Sequence, residues 1–503
     1  MGERAEHSSL QAYLESGLSE IERQRIGIIT FNHWSFAVGT VIETVLEARE
    51  MGSECFVGFW ADDTPLPDVG WRASRRLAKA LRSSTRDQQA ESALRAAGVS
   101  PAVFVRPPIR RWRPDGMPQL PPALTRSTIR SLRYKGADMG RSVLEVHPDH
   151  QTPIRESHLW PRRWVKEACR SYAWAFDQAE ALIRDYQLTT VVVYNGRFTH
   201  DRAVAAAAEQ AGIRVLYYDT GGYDTDFDLT RATTHDWRHL QGRMRVMYDE
   251  WDPNERDLIG SSWFINRKSH SDRDNARFVG IQQQGHVTEL PEAEKLVVYF
   301  SSSGDEIAEL DIDWAQYFHS QENALLQLAD SCRDREGVKL VVRTHPHMRL
   351  KPLGDQDDWN NAVSAARPDL HIDPYSIVDS YALMDQADVV FTYGSTAGVE
   401  SAFFGRPVVV MGPSAYDQLG CAQRISSAEQ IAEAIDHPPT PNPEAAIPYG
   451  LMMQRRGFSY AHAVRAPDDA VTLAGCTVGE ASQNALKASD AVRKARTWWL
   501  TRA

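Results

Sequence analysis

Cysteine is scarce in this 503-residue sequence: Cys55, Cys169, Cys332, Cys421 and Cys476 stand singly, with no C-x-x-C pair. A scattered, odd set gives no disulfide framework, and it predicts a reducing, cytoplasmic setting. Long apolar runs are missing as well. None approaches the ~18 residues of a membrane-spanning helix, and residues 1–25 are polar and mixed in charge, without the apolar segment of a secretory signal. Work at a membrane is therefore expected only from its surface, peripherally at the inner face. Positive charge is in deficit: 56 Lys and Arg against 67 Asp and Glu give a net charge of -11, so the whole chain has no electrostatic pull toward nucleic acid.

Several motifs are absent. No G-x-x-x-x-G-K-[ST] phosphate loop, no G-x-G-x-x-G after a strand and no G-x-S-x-G elbow occurs, which disfavours ATPases, dinucleotide oxidoreductases and serine hydrolases. Asp224, Asp226 and Asp228 alternate like a calcium loop, but Leu229 and His235 fill the positions that need Gly and Glu. Asp311 and Asp313 end no convincing strand, and His345 and His347 lack a nearby Cys or third His. No metal and no cofactor is expected. The lack of repeats argues against solenoids and propellers.

What is present is the composition of a globular protein, 42% hydrophobic and 24% charged, in a chain long enough for two or three domains of about 100–200 residues. Strand-like runs alternate with helical periodicity, the pattern of parallel α/β layers. A first block has strands at 25–31, 54–60, 189–194 and 214–218, with helices at 40–51 and 201–212. A second has strands at 295–300, 338–343, 389–392 and 407–411. The expected domains are 1–285, carrying a Pro- and Arg-rich insertion at about 61–186, then 292–479, with a hinge at 282–294 and a helix at 480–503 bracing the first domain. From Arg106 to Arg170 basic residues outnumber acidic ones roughly two to one. That asymmetry suits an anionic acceptor or an anionic membrane surface, or a solvated face with internal salt bridges.

Parallel sheets bind ligands beyond the carboxyl ends of their strands, so the loops there are the candidates. Thr392-Tyr-Gly-Ser-Thr runs from a strand through Gly394 into a helix, where Ser395, Thr396 and free N–H groups suit a phosphate, or form a plain helix cap. Glu400, one turn on, could accept a ribose hydroxyl. After another strand comes Arg343-Thr-His-Pro-His, where Pro346 fixes the backbone beyond His345, an imidazole able to bind or protonate a leaving phosphate, and Arg343 and Pro346 are expected among the donor- and phosphate-binding residues. Ser302 and Ser303 follow a third strand in a small-residue loop that allows close approach. In the first block, Asp219 is followed by Gly221 and Gly222, which leave room for a substrate. This carboxylate is the candidate general base. Asn195 and Arg197 end the neighbouring strand, on the acceptor side, with Arg197 a contact for an anionic group.

The strand with His345-Pro346, the Gly394-Ser395-Thr396 helix start and Phe404-Gly-Arg-Pro407 before another strand resemble the donor domain of bacterial capsule and surface-polysaccharide glycosyltransferases of GT-B type, including the sialyl- and Kdo-transferases that use CMP-activated acidic sugars. The resemblance implies two Rossmann-like, doubly wound α/β domains facing a central cleft. It implies a nucleotide-sugar donor and a saccharide or lipid-linked acceptor. It also implies an inverting, metal-independent displacement in which Asp219 takes the acceptor proton while His345, Ser395 and Thr396 meet the nucleotide phosphate. The departure is Thr220, which stands where that family has a second acid beside the first. Three alternatives stay open: CDP-polyol phosphotransfer of teichoic-acid type, a non-catalytic nucleotide-sugar-binding subunit, and nucleotide-sugar epimerisation.

Overall fold

The computed structural model describes residues 24–30, 35–59, 93–98, 114–144, 158–222, 226–233, 236–272, 275–304, 312–465, 471–473 and 476–478. The helix expected at 480–503 lies outside them. The chain forms two compact units, each built on a six-stranded sheet.

The first unit begins with β1 (Arg25–Thr30), α1 (Ser35–Glu50) and β2 (Glu54–Phe59). It continues with α2 (Arg162–Tyr186), β3 (Thr190–Tyr194), α3 (Thr199–Gln210), β4 (Arg214–Thr220) and β5 (Asp226–Thr230). β2, β1, β3 and β4 lie parallel in that order, whereas β5 runs antiparallel to β4. Every residue of β3 is buried, because helices cover both faces of the sheet, and such strands read as continuous apolar runs. α1 buries Ala37, Val38, Val41, Ile42, Val45 and Ala48, one stripe of helical period, on one face. α2 buries Trp164, Ala168, Tyr172, Phe176, Ala179 and Ile183 on the other. Each large apolar side chain so buried stabilises by about 1.5–3 kcal/mol.

The segment expected as an insertion is different in kind. Leu124, Ile129, Leu132, Tyr134, Met139 and Val143 share one core with α2, α3 and β3, so its described residues are integral to the domain. Its basic side chains are partly neutralised inside the unit: Arg133 and Arg141 pair with Asp138, Lys135 with Asp177 and Glu180, and Arg170 with Glu167.

The second unit starts earlier than expected. α4 (Trp237–Glu250) and α5 (Arg256–Lys268) belong to it, before the boundary placed near residue 285. Next come β6 (Lys295–Phe300), α6 (Gln321–Arg333), β7 (Val338–Arg343), α7 (Leu353–Ala366), β8 (Leu370–Ile372) and α8 (Ser380–Gln386). They are followed by β9 (Val389–Thr392), α9 (Thr396–Phe403), β10 (Val408–Val410), β11 (Gln423–Arg424), α10 (Ala428–Asp436) and α11 (Ile447–Arg455). Gly260 of α5 meets α11 so closely that a Cβ there would lie 2.6 Å from the Ile447 carbonyl oxygen, and Phe264 stacks on Phe403 at 4.2 Å. This packing assigns α5 to the second unit.

Residues 282–294 form no hinge. Gln283 N–H donates to the Ile377 carbonyl and Gly285 N–H to Asp379, fastening the segment to the same unit. At the other end, residues 456–465 leave the expected second domain and join the first sheet, where Phe458–Ser459 pairs antiparallel with β5. Glu43 of α1 holds this return segment by accepting the backbone N–H groups of Ala461, His462 and Ala463.

Candidate functional site

The second sheet is wholly parallel, in the order β8-β7-β6-β9-β10-β11. By position in the chain this is 3-2-1-4-5-6, the doubly wound order whose switch point, between β6 and β9, places ligands beyond their carboxyl ends. The loops after β6, β7 and β9 are the three the sequence singles out.

The first two loops are tied together. Ser301, 1% exposed, accepts the His345 backbone N–H at 2.8 Å and donates its own N–H to the Arg343 carbonyl at 3.1 Å. Ser302 N–H donates to Gln321 Oε1 at 2.5 Å, leaving Ser302 and Ser303 half-buried at the loop surface. Pro346 opens a 3-10 turn, Pro346–Leu350, and His345 caps it, its Nδ1 accepting the His347 N–H at 3.1 Å. With Nδ1 accepting, the neutral ring carries its proton on Nε2 and can donate there to an oxyanion. Phe278 stands edge-on to the ring at 5.4 Å. Sequence reading placed Ser301 in the small-residue loop but missed Gln321 and Phe278, whose roles come from neighbours across the sheet.

At the end of β9, Gly394 has φ +82°, and a Cβ there would lie 2.0 Å from the Pro413 carbonyl oxygen. Only glycine fits. The tight turn delivers Ser395 as the N-cap of α9: its Oγ accepts the Ala397 N–H at 3.4 Å, and its own N–H donates to Thr392 Oγ1 at 3.1 Å. Ser395 is buried and Thr396 exposed, so the turn presents the Thr396 side chain together with the helix N-terminus. The cap and the anion-site readings coexist, because a hydroxyl that accepts from the backbone still has its own hydrogen to donate.

Glu400 departs from expectation. Glu400 is 4% exposed and its carboxylate pairs with the Arg267 guanidinium, which lies over the Trp263 ring at 4.6 Å. Glu400 therefore belongs to an internal ion pair rather than facing a ribose. Arg343 is likewise buried, at the last position of β7, with Nη1 donating to the Asp373 carbonyl.

In the first unit, Asp219 lies within β4 rather than in a turn, because the strand continues to Thr220 and pairs with β5. Asn195, at φ +50°, follows β3 and donates Nδ2–H to Asp219 Oδ2 at 2.6 Å. Asp219 Oδ1 accepts the Thr220 N–H at 2.7 Å. Asp228 stands directly opposite Asp219 in register, on the same face of the hairpin. Asp226 and Asp228 of the apparent calcium loop thus lie on a strand, and a second carboxylate adjoins Asp219 from across the sheet instead of from position 220. Gly221 and Gly222 are half-buried and packed into the fold. A Cβ on Gly221 would lie 2.5 Å from Asp226 Cβ, and Gly222 N–H donates to the Arg456 carbonyl. Arg197 is half-buried between β3 and α3.

Two buried groups near this edge were not anticipated. Burial pushes the Asp201 carboxyl well above the ordinary range, and it pulls His200 down to about 4. Both sit in the first turns of an Ala-rich helix, where an Asp reads as ordinary N-terminal decoration. Among the described residues, one group of candidate metal ligands, Glu43, Glu47 and His462, has ligand atoms within 4.8 Å of one another, but Glu43 is already committed to three backbone N–H groups. No described helix is long and apolar enough to cross a membrane.

No curated protein matches the sequence. Among solved structures, the chain is similar to the β-Kdo 2,4-transferase of Thermosulfurimonas dismutans KpsC (13% identity, 52% of this chain and 79% of that one, TM-score 0.34). It is also similar to the β-Kdo 2,7-transferase of the same protein (12% identity, 64% and 90%, TM-score 0.32). A third is a Methanocaldococcus jannaschii UDP-GlcNAc 2-epimerase solved with UDP-GlcNAc and UDP (9% identity, 84% and 98%, TM-score 0.30). Residues 287–447, which contain the β6, β7 and β9 loops together, match the family described as capsule polysaccharide biosynthesis protein.

Proposed function

We propose that the protein is a glycosyltransferase of capsule or surface-polysaccharide synthesis, using a nucleotide-sugar donor with CMP-activated acidic sugars favoured. The observation that carries this reading is the convergence of the Ser301–Ser303, His345-Pro346 and Gly394–Thr396 loops around the switch point of one parallel sheet, within the segment that matches the capsule family.

In the reaction, the Asp219 carboxylate accepts the proton of an acceptor hydroxyl as that oxygen bonds to the anomeric carbon. The bond from that carbon to the phosphate oxygen breaks with inversion, and its electron pair leaves on the nucleotide. His345 Nε2–H, the Ser395 and Thr396 hydroxyls and the amino terminus of α9 oppose the charge that builds on the departing phosphate. Asn195 orients the base by occupying one of its oxygens.

The test is transfer from a panel of radiolabelled nucleotide sugars to capsule-type saccharide acceptors. Product formed from CMP-linked donors supports the full reading. Product formed only from UDP- or GDP-linked donors keeps the transferase and replaces the donor. Turnover with CDP-polyols alone, or sugar interconversion without acceptor, refutes it.

A further inference from the structure

Arg343 presents a feature that the proposed chemistry does not yet use. The residue is 2% exposed, and two of its three side-chain nitrogens, Nε and Nη2, have no hydrogen-bond partner among the described residues. Nε–H and Nη2–H form one edge of the guanidinium plane, the parallel pair that grips two oxygens of a carboxylate or phosphate side-on.

Nearby acids do not take this role. Asp373 Oδ1 accepts the Tyr375 N–H at 2.7 Å, and Asp379 accepts from Gly285 at 2.7 Å and from Tyr381 at 3.0 Å. Both lie near enough to favour the guanidinium charge, yet burial outweighs them and pulls the group down to about 10. A buried charge without a close partner costs several kcal/mol, and an apolar side chain of similar volume would serve a plain core better. Position supplies the reason to keep it. Arg343 ends β7 beside Phe300 of β6, its carbonyl is held by Ser301, and His345 follows two residues later.

We propose that Arg343 is an oxyanion fork of the donor site, taking two oxygens of the donor's phosphate or of its sugar carboxylate through Nε–H and Nη2–H. This rests on the donor-site reading of the second unit. It adds that donor recognition depends on a bidentate anion contact, which a lysine cannot reproduce.

The experiment compares the full chain with Arg343→Met and Arg343→Lys by isothermal titration and thermal melting, circular dichroism confirming each fold. The probes are cytidine, CMP, a free 2-keto acid sugar and inorganic phosphate at matched ionic strength. Arg343→Met is expected to melt no lower than the parent without ligand, since it removes an unneutralised buried charge, and to lose at least about tenfold in affinity for one anionic probe while cytidine is unaffected. Arg343→Lys is expected to recover that affinity only in part. Loss confined to CMP assigns the phosphate, and loss confined to the acid sugar assigns the carboxylate. Unchanged affinity for every anion in Arg343→Met, or a melting temperature lowered in both variants, overturns the fork. If His345→Ala loses CMP while Arg343→Met loses affinity for none of the anionic probes, the fork falls and the donor site stands. If the parent binds no nucleotide, the donor-site reading falls, and inorganic phosphate decides the fork: stabilisation of the parent that Arg343→Met lacks supports it, and no difference overturns it.

Discussion

Asn195 donates its side-chain amide to Oδ2 of Asp219 over 2.6 Å, while the neighbouring Thr220 N–H occupies Oδ1 at 2.7 Å. The carboxylate is thereby held in one rotamer, with lone pairs left to accept a proton. Asp219→Ala is expected to lower turnover by about 10²–10⁴-fold, the usual worth of a general base, while donor affinity measured by titration stays unchanged. Asn195→Gly keeps the left-handed backbone that Asn195 adopts at φ +50° and deletes only the amide. It should lower kcat by less than the Asp219 variant does, with KM unaltered. Equal loss of donor binding in a folded Asp219→Ala protein would count against the base.

His345 has two duties that can be separated. As a cap its Nδ1 accepts the His347 N–H, and in the proposed reaction its Nε2–H donates to the leaving phosphate. Asn in its place can still cap a turn but cannot present a donor at the Nε2 position. His345→Asn should retain the melting temperature while weakening nucleotide affinity as much as His345→Ala does. Parent-like affinity in His345→Asn would reduce the histidine to a structural cap.

Glu400 makes the opposite prediction to the one its sequence position suggests. Both partners of the Arg267–Glu400 pair are buried, and removing one charge leaves the other uncompensated. Glu400→Gln should cost about 3–5 kcal/mol of stability by urea unfolding, and an apolar double replacement, Glu400→Leu with Arg267→Met, should recover most of it. Nucleotide affinity of the double variant should match the parent. A selective loss of nucleotide binding would return Glu400 to the ribose.

A pH dependence follows from His200, wholly buried beside Ser171 and Trp174 and pulled by that burial from 6.5 to about 4. The folded state keeps the ring neutral, whereas the unfolded chain binds a proton below about 6.5. Its contribution is therefore fully present above pH 6.5 and is lost as pH falls from 6.5 toward 4, by on the order of 3 kcal/mol. His200→Gln should flatten that limb of the stability profile. Identical acid limbs in parent and variant would contradict the assignment.

Most strands were legible in sequence because parallel, doubly covered strands are unbroken β-branched runs. Lys295–Phe300, Val338–Arg343 and Val389–Thr392 fall where the pattern placed them. The antiparallel β5 was not, since its alternating aspartates imitate a calcium loop and only pairing with β4 explains them. The domain boundaries were hidden for a related reason. α5 is assigned by the contact of Gly260 with α11, and the strand Phe458–Ser459 by its pairing with β5, both partners being far away in sequence. Gly394 and His345-Pro346 could be read as a turn and a cap because local backbone chemistry demands those residues. The structural partners of Glu400, Gly221 and Gly222, namely Arg267, Asp226 and Arg456, are invisible to any local pattern.

The most direct measurement is release of CMP from a CMP-linked acidic sugar by the full chain, followed with and without a capsule-type saccharide acceptor, in the parent and in Asp219→Ala. The account predicts acceptor-dependent release in the parent, and a variant that binds the donor without releasing CMP. No release and no binding with any nucleotide sugar, from a protein that melts cooperatively, would contradict it.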